Sequence, residues 1–201
     1  MKPDIRFDSP KEALSCIRSG HRVFIHGSAQ TPVFLVNELA KEADRLENVE
    51  LVSISVYGNL DICKPEYAKN FRMNSMFVSG AIRDAVADGR ADYIPVFLSE
   101  IPELFKQDIL PIDVAIVQVS VPDEHGYCSL GVSVDVARSA VNTARKVIAQ
   151  VNPNAPRTHG DGMIHASRFS AMVWCDDPMQ EVSFSEKSNS FLELPFRKFK
   201  F

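Results

Sequence analysis

Apolar and polar positions alternate along this chain with two different periods, and the switches between them mark out helices and strands. Residues 9–19 (SPKEALSCIRS) predict a short helix, with Ser9 as N-cap, Pro10 at the first helical position and Gly20 just past its end. Residues 22–26 (RVFIH) predict a short buried strand stopped by Gly27. In 32–46, Phe34, Leu35, Leu39, Ala43 and Leu46 fall near helical spacing, with Thr31 as the expected N-cap and Pro32 just inside. Residues 49–57 alternate Val52, Ile54 and Val56 with Ser53 and Ser55, which predicts a strand.

The pattern then repeats more loosely. Residues 80–87 predict a short helix ended by Gly89, residues 93–98 a strand, and residues 99–106 another short helix. Residues 113–121 (DVAIVQVSV) are the most apolar strand candidate. A helix follows over 135–146 with Asp135 at its start, then a strand over 147–151. Two prolines and two glycines make 152–162 a loop, and 164–174 reads as a strand pair. Strands alternating with helices predict an α/β fold: a mostly parallel sheet with helices on both faces. Past residue 185 the periodicity stops, and the tail spaces Phe191, Phe196, Phe199 and Phe201 with no clean period.

Composition narrows the class. The chain of 201 residues suits one large domain or two small ones, and 45% apolar residues suffice for a core. A net charge of -4 gives no pull toward nucleic acid or anionic membrane. No apolar run approaches the roughly 20 residues of a membrane span. The N-terminus reads as neither a signal nor a transit peptide. Cys16, Cys63, Cys128 and Cys175 are scattered, without a C-x-x-C pair, and read as reduced thiols of a cytoplasmic protein.

Few residues suggest chemistry by themselves. The loop from Gly27 to Pro32, between a strand and a helix, would leave backbone N–H groups for a phosphate or a developing oxyanion. An ordinary βα turn is the plainer account, because no P-loop lysine and no G-x-G-x-x-G are present. Tyr57-Gly58-Asn59 ends a strand in the same manner. The run 123–129 (DEHGYCS) raises two further ideas, a metal site of Asp123, His125 and Cys128 or a Cys–His nucleophile, against a polar turn set by Pro122 and Gly126. A metal would need ligands folded back from His159, Asp161 and His165, so none is expected. His26 reads as a satisfied structural histidine, and Arg83 as either an anion partner or a solvated helix position.

Four longer segments carry a resemblance. IHGSAQTP (25–32), FRMNSMFVSGAIRDAVADGRADYIPVFLSEIPELF (71–105), LPIDVAIVQVSVPDEHGYCSLGVSVD (110–135) and AQVNPNAPRTHGDGMIH (149–165) resemble the N-terminal domain of acetyl-CoA hydrolase/transferase proteins, which include 4-hydroxybutyrate CoA-transferases and succinyl-CoA:acetate CoA-transferases. The resemblance implies the class I CoA-transferase fold and a cleft between two similar domains. It implies that a glutamate of the C-terminal domain attacks an acyl-CoA thioester to give a mixed anhydride. The released CoA thiolate returns to form a glutamyl-CoA thioester, and an incoming carboxylate then takes over the CoA. Coenzyme A and acyl-CoA enter as substrates, with no permanently bound cofactor expected.

Carried onto this sequence, Gly27, Ser28 and Thr31 would face the cleft. Tyr57 and Gly58 would lie nearest the oxyanion, and His125, Gly126 and Ser129 would border the acyl pocket. The expected partners are acyl-CoA, a small carboxylate, a C-terminal CoA-transferase domain in cis or in trans, and further copies of the enzyme. Residues 1–185 are then the N-terminal domain and 186–201 an atypical tail, read as a truncated or frame-shifted end, with the catalytic domain absent. A non-catalytic binding or remnant domain is the other reading. A sugar-phosphate isomerase on a related fold is weaker, since no catalytic acid/base set stands out.

Overall fold

The computed structural model describes residues 6–181. The tail 186–201, with its four phenylalanines, lies outside the described residues. Seven parallel strands form one sheet: β1 (Arg22–Ile25), β2 (Val49–Ser53), β3 (Phe71–Ser75), β4 (Ala91–Tyr93), β5 (Val114–Val119), β7 (Lys146–Val151) and β9 (Ala171–Trp174). Their spatial order is β4-β3-β2-β1-β5-β7-β9. The chain therefore starts in the middle, winds out to β4, returns beside β1 as β5 and winds out the other way. That reversal puts a topological switch point between the carboxyl ends of β1 and β5, where open α/β sheets bind ligands. Two further strands, β6 (Tyr127–Ser129) and β8 (Met163–His165), make a separate antiparallel ribbon.

Alternate residues of each central strand feed two cores. Val23, Ile25, Val114 and Ile116 pack under α1 (Pro10–Leu14), α2 (Val33–Ala40) and α3 (Arg83–Ala87). Phe24, Ala115, Val117 and Val119 pack against α4 (Ile101–Lys106), α5 (Ala137–Thr143) and the ribbon. Strands buried on both sides are continuous apolar runs, as DVAIVQVSV is. Phe24 and Phe105 meet edge to face with ring centroids 5.9 Å apart, fixing α4 on the sheet.

Most element types follow the sequence pattern, and the differences have local causes. Ser9 does cap α1, in a reciprocal box with Glu12. The helix predicted over 32–46 stops at Ala40, and Ala43–Arg45 forms a separate 3-10 turn. Arg45 there donates to the carbonyls of Leu14 (2.8 Å) and Ile17 (2.6 Å), completing the end of the first helix, Pro10–Leu14, rather than extending its own. Strand β3 lies where no element was expected; it has only two apolar residues, Phe71 and Met73, alternating with Arg72 and Asn74. The strand expected at 93–98 sits earlier, at β4. Pro95 blocks continuation, and Phe97 is 75% exposed. The pair expected over 164–174 is split between two sheets, β8 joining β6 and β9 joining β7.

Candidate functional site at the carboxyl end of the sheet

The loop leaving β1 folds tightly onto the end of β2. A Cβ on Gly27 would lie 2.7 Å from the Ser55 carbonyl oxygen, so only glycine admits this approach. The Ser28 amide donates to that same oxygen at 2.6 Å, with Ser28 in the left-handed region (φ 54°). The amides of Gln30 and Thr31 close back on Gly27 and Ser28. Three amides expected to await an anion are thus spent, two inside the loop and one on the end of β2.

Thr31 is not the N-cap of α2. Its hydroxyl donates to the Ser28 carbonyl (2.7 Å) and accepts from the Tyr57 amide (3.0 Å), tying the two loops together. The N-terminus of α2 is served instead by Gln150, whose Oε1 accepts from the Leu35 amide at 3.0 Å. Gly58 (φ 89°) lies where a Cβ would strike Val33 and Gln180, so the second loop is pressed onto the start of α2. The buried hydroxyls of Ser53 and Ser55, at the end of β2, have no hydrogen-bond partner among the described residues.

Beneath these loops lies a buried amide network that sequence reasoning did not single out. Gln118 of β5 and Gln150 of β7 are paired in register. Gln118 Oε1 accepts from Gln150 (2.7 Å) and Asn152 (3.1 Å), and Gln118 Nε2 donates to Gln30 Oε1 (3.2 Å). Gln30 in turn donates to the Leu130 carbonyl at 2.9 Å. All four amide side chains are buried. The signal was a glutamine breaking each of two apolar strands, in IVQV and IAQV.

His26, also fully buried, accepts from the Gln118 amide at Nδ1 (3.3 Å) and meets the Ser133 carbonyl at Nε2 (2.6 Å). It must therefore be neutral with its proton on Nε2, and burial pushes its pKa down. The segment after β9 crosses this end of the sheet. Asn152 donates to the Asp177 carbonyl (2.9 Å), Asn154 to that of Asp176 (2.8 Å), and Gln118 to Met179 Sδ. It encloses a cavity of about 50 Å³ lined by Thr31, Phe34, Gln118, Gln150, Asp177 and Gln180, room for a few waters and not for a thioester.

The expected residues thus fall into two groups. Gly27, Ser28, Thr31, Tyr57 and Gly58 form one cluster. Ser129 lies beside it at the carboxyl end of β5, where Ser120 and Ser129 are hydrogen-bonded. Its hydroxyl is fully engaged: it accepts from the Gly131 and Thr158 amides, both at 3.0 Å, and meets the Thr158 hydroxyl at 3.0 Å. His125 and Gly126 instead occupy the far tip of the ribbon, and the His125 side chain is 75% exposed.

That tip is a turn built by Asp123, whose Oδ1 accepts from the His125 (2.9 Å) and Tyr127 (2.8 Å) amides and whose Oδ2 pairs with Arg157. The Tyr127 and His125 N–H groups and the Arg157 guanidinium hold its carboxyl below the usual range. Cys128 points the other way, into the core, where burial pushes its thiol up to about 12. The Cys–His nucleophile idea fails on this geometry. His165 is bound to Ser167 and Asp161 pairs with Arg138, and no three potential metal ligands converge among the described residues.

Comparison with known proteins places this architecture. The profile of the acetyl-CoA hydrolase/transferase N-terminal domain matches residues 4–186. The 4-hydroxybutyrate coenzyme A transferase of Clostridium kluyveri is 44% identical over 172 residues, covering 86% of this chain and 40% of that protein. A succinyl-CoA:acetate/propanoyl-CoA:succinate CoA transferase of Fasciola hepatica is 41% identical over 174 residues, 86% of this chain and 36% of that protein. Among solved structures, RipA from Yersinia pestis superposes with a TM-score of 0.81 at 30% identity, covering 90% of this chain and 44% of RipA. A 4-hydroxybutyrate CoA-transferase from Porphyromonas gingivalis gives 0.76 at 30% identity, covering 90% of this chain and 42% of that one. The chain spans about two fifths of the length of the curated relatives it matches. With the profile match spanning all the described residues, the chain belongs to the acetyl-CoA hydrolase/transferase family, of which it carries the N-terminal domain.

Proposed function

We propose that this chain is the N-terminal half of an acyl-CoA:carboxylate CoA-transferase, working in the cytoplasm in acetate or 4-hydroxybutyrate metabolism. In this reading the nucleophilic glutamate comes from a C-terminal half, in the same polypeptide or in a second one. The observation that carries it is the make-up of the carboxyl end of the sheet. Its buried polar side chains are amides, hydroxyls and one neutral histidine, and no Asp or Glu is buried among the described residues. Such a surface can position and hydrogen-bond a thioester but offers no glutamate to attack it, Asp177 being the one carboxylate residue that lines the cavity there. The cavity there is also far smaller than an acyl-CoA needs, so a second wall must complete the cleft.

In the full reaction, the glutamate carboxylate attacks the acyl-CoA carbonyl and expels CoA thiolate, leaving an acyl-glutamyl anhydride. The thiolate attacks the glutamyl carbonyl, releasing the first carboxylate and forming glutamyl-CoA. The second carboxylate then attacks this thioester, again giving an anhydride and free thiolate. Attack of that thiolate on the new acyl carbonyl yields the second acyl-CoA and restores the glutamate. The role proposed for the loops from Gly27 to Thr31 and from Tyr57 to Gly58 is to shape one wall of the cleft, with Ser129 behind them. His125 and Gly126, at the ribbon tip, would border the acyl group only if the second half brings the substrate there.

The test is reconstitution. The chain is assayed for conversion of acetyl-CoA with butyrate or 4-hydroxybutyrate, alone and mixed with a separately expressed C-terminal half of the family. Activity only in the mixture supports the proposal, and turnover by the isolated chain sinks it.

A further inference from the structure

At the opposite end of the sheet, where the strands begin, lies a second cavity of about 240 Å³, several times larger than the one at the carboxyl end. It is lined by Cys16, Arg18, His21, Asp113, Val114, Arg145 and Lys146. Strand β5, six residues and roughly 17 Å from end to end, separates it from the cleft loops. Cys16 and Val114 form its apolar back wall, and its rim is cationic.

Three fixed positive charges, Arg18, Arg145 and Lys146, face a single carboxylate. Asp113 is already occupied: its Oδ2 accepts from the Arg22 amide at 2.9 Å, and its Oδ1 lies 3.2 Å from Arg145 Nη1. Arg18 and Lys146 have no carboxylate within ion-pair distance among the described residues, although the chain as a whole is negative. His21 accepts the Arg18 amide on Nδ1 at 3.2 Å, which leaves its Nε2–H as a further donor. An excess of positive charge gathered over a concave, partly apolar floor is the electrostatic pattern of an anion site. Two guanidiniums add the flat, forked donors that match phosphate oxygens.

We propose that this cavity binds a compact, multiply charged phosphate anion, at a site distinct from the acyl-CoA cleft. Its volume admits a pyrophosphate-sized group. This inference does not depend on the transferase reading.

The test is titration of the 15N-labelled full chain with inorganic pyrophosphate, followed by two-dimensional NMR. The expected result is saturable shifts at Arg18, His21, Asp113, Arg145 and Lys146, with the Gly27 and Tyr57 loops unmoved. The Arg18→Gln/Arg145→Gln double variant should weaken binding at least about tenfold. Both side chains are exposed, so its unfolding temperature should stay close to that of the parent, and a Lys69→Gln variant serves as the surface-charge control. Shifts that never saturate, binding equally strong in the double variant, or shifts centred on the carboxyl-end loops would each overturn the proposal.

Discussion

Replacing Gln118 with leucine removes the hub of the buried amide network while nearly preserving volume. The substitution leaves Gln30 Oε1 without its donor and one Gln150 amide N–H without its acceptor, while Asn152 keeps its bond to the Asp177 carbonyl. Each buried polar group left unsatisfied costs about 1–3 kcal/mol. Leucine recovers about 1 kcal/mol through burial. The net expectation is a loss of about 1–5 kcal/mol, or roughly 3–15 °C in Tm for a chain of this size. Urea unfolding followed by circular dichroism measures it directly. In a Gln118→Leu/Gln150→Leu double variant the Leu35 amide still loses its acceptor, but the Gln118–Gln150 bond is lost only once, so the losses should fall short of additive by about 1 kcal/mol. A single-variant loss under about 1 kcal/mol, or strict additivity, would refute the claim that these amides hold the floor of the site together.

Further outcomes follow from the same geometry. Gly27→Ala puts a methyl against the Ser55 backbone oxygen, which cannot step aside, and should cost about 2–3 kcal/mol in urea unfolding. Thr31→Val should lose about 1–2 kcal/mol by cutting the hydroxyl link between the two loops, whereas Thr31→Ser should retain most of it. His26 has a folded-state pKa depressed by burial, so the unfolded chain takes up a proton near pH 6.5 and the folded chain does not. Stability should therefore fall as pH drops below that value, by up to about 1.4 kcal/mol per unit, and His26→Gln should flatten this part of the urea-midpoint profile. Burial raises the thiols of Cys63 and Cys175 to about 11 and that of Cys128 to about 12. At pH 8 the native protein should react with a disulfide reagent far more slowly than the guanidinium-unfolded chain.

Much of the fold was legible because the central strands are buried on both faces. DVAIVQVSV and the run at 147–151 had to be strands of a covered parallel sheet once helices separated them. Strand β3 was harder to see because it is only half apolar and pairs with a three-residue edge strand. The YIPVFL run misled because Tyr93, Phe97 and Leu98 are exposed on the surface while only Ile94 and Val96 pack partly against the core.

For the site, the loops at Gly27 and Tyr57 were visible as glycines following strands. How they close was not visible: the Thr31 hydroxyl bridge and the Gln150 cap come from residues 26 and 115 positions away. The resemblance set His125 and Ser129 together at the border of the acyl pocket. A ribbon strand between them sends one to the tip and the other to the sheet.

The central claim is that this chain shapes a CoA-transfer cleft but carries no nucleophile. It is tested most directly by intact-mass analysis of the chain mixed with a C-terminal half, quenched during turnover with acetyl-CoA. The account predicts a covalent CoA adduct on the C-terminal half and none on this chain. An adduct on this chain would contradict it.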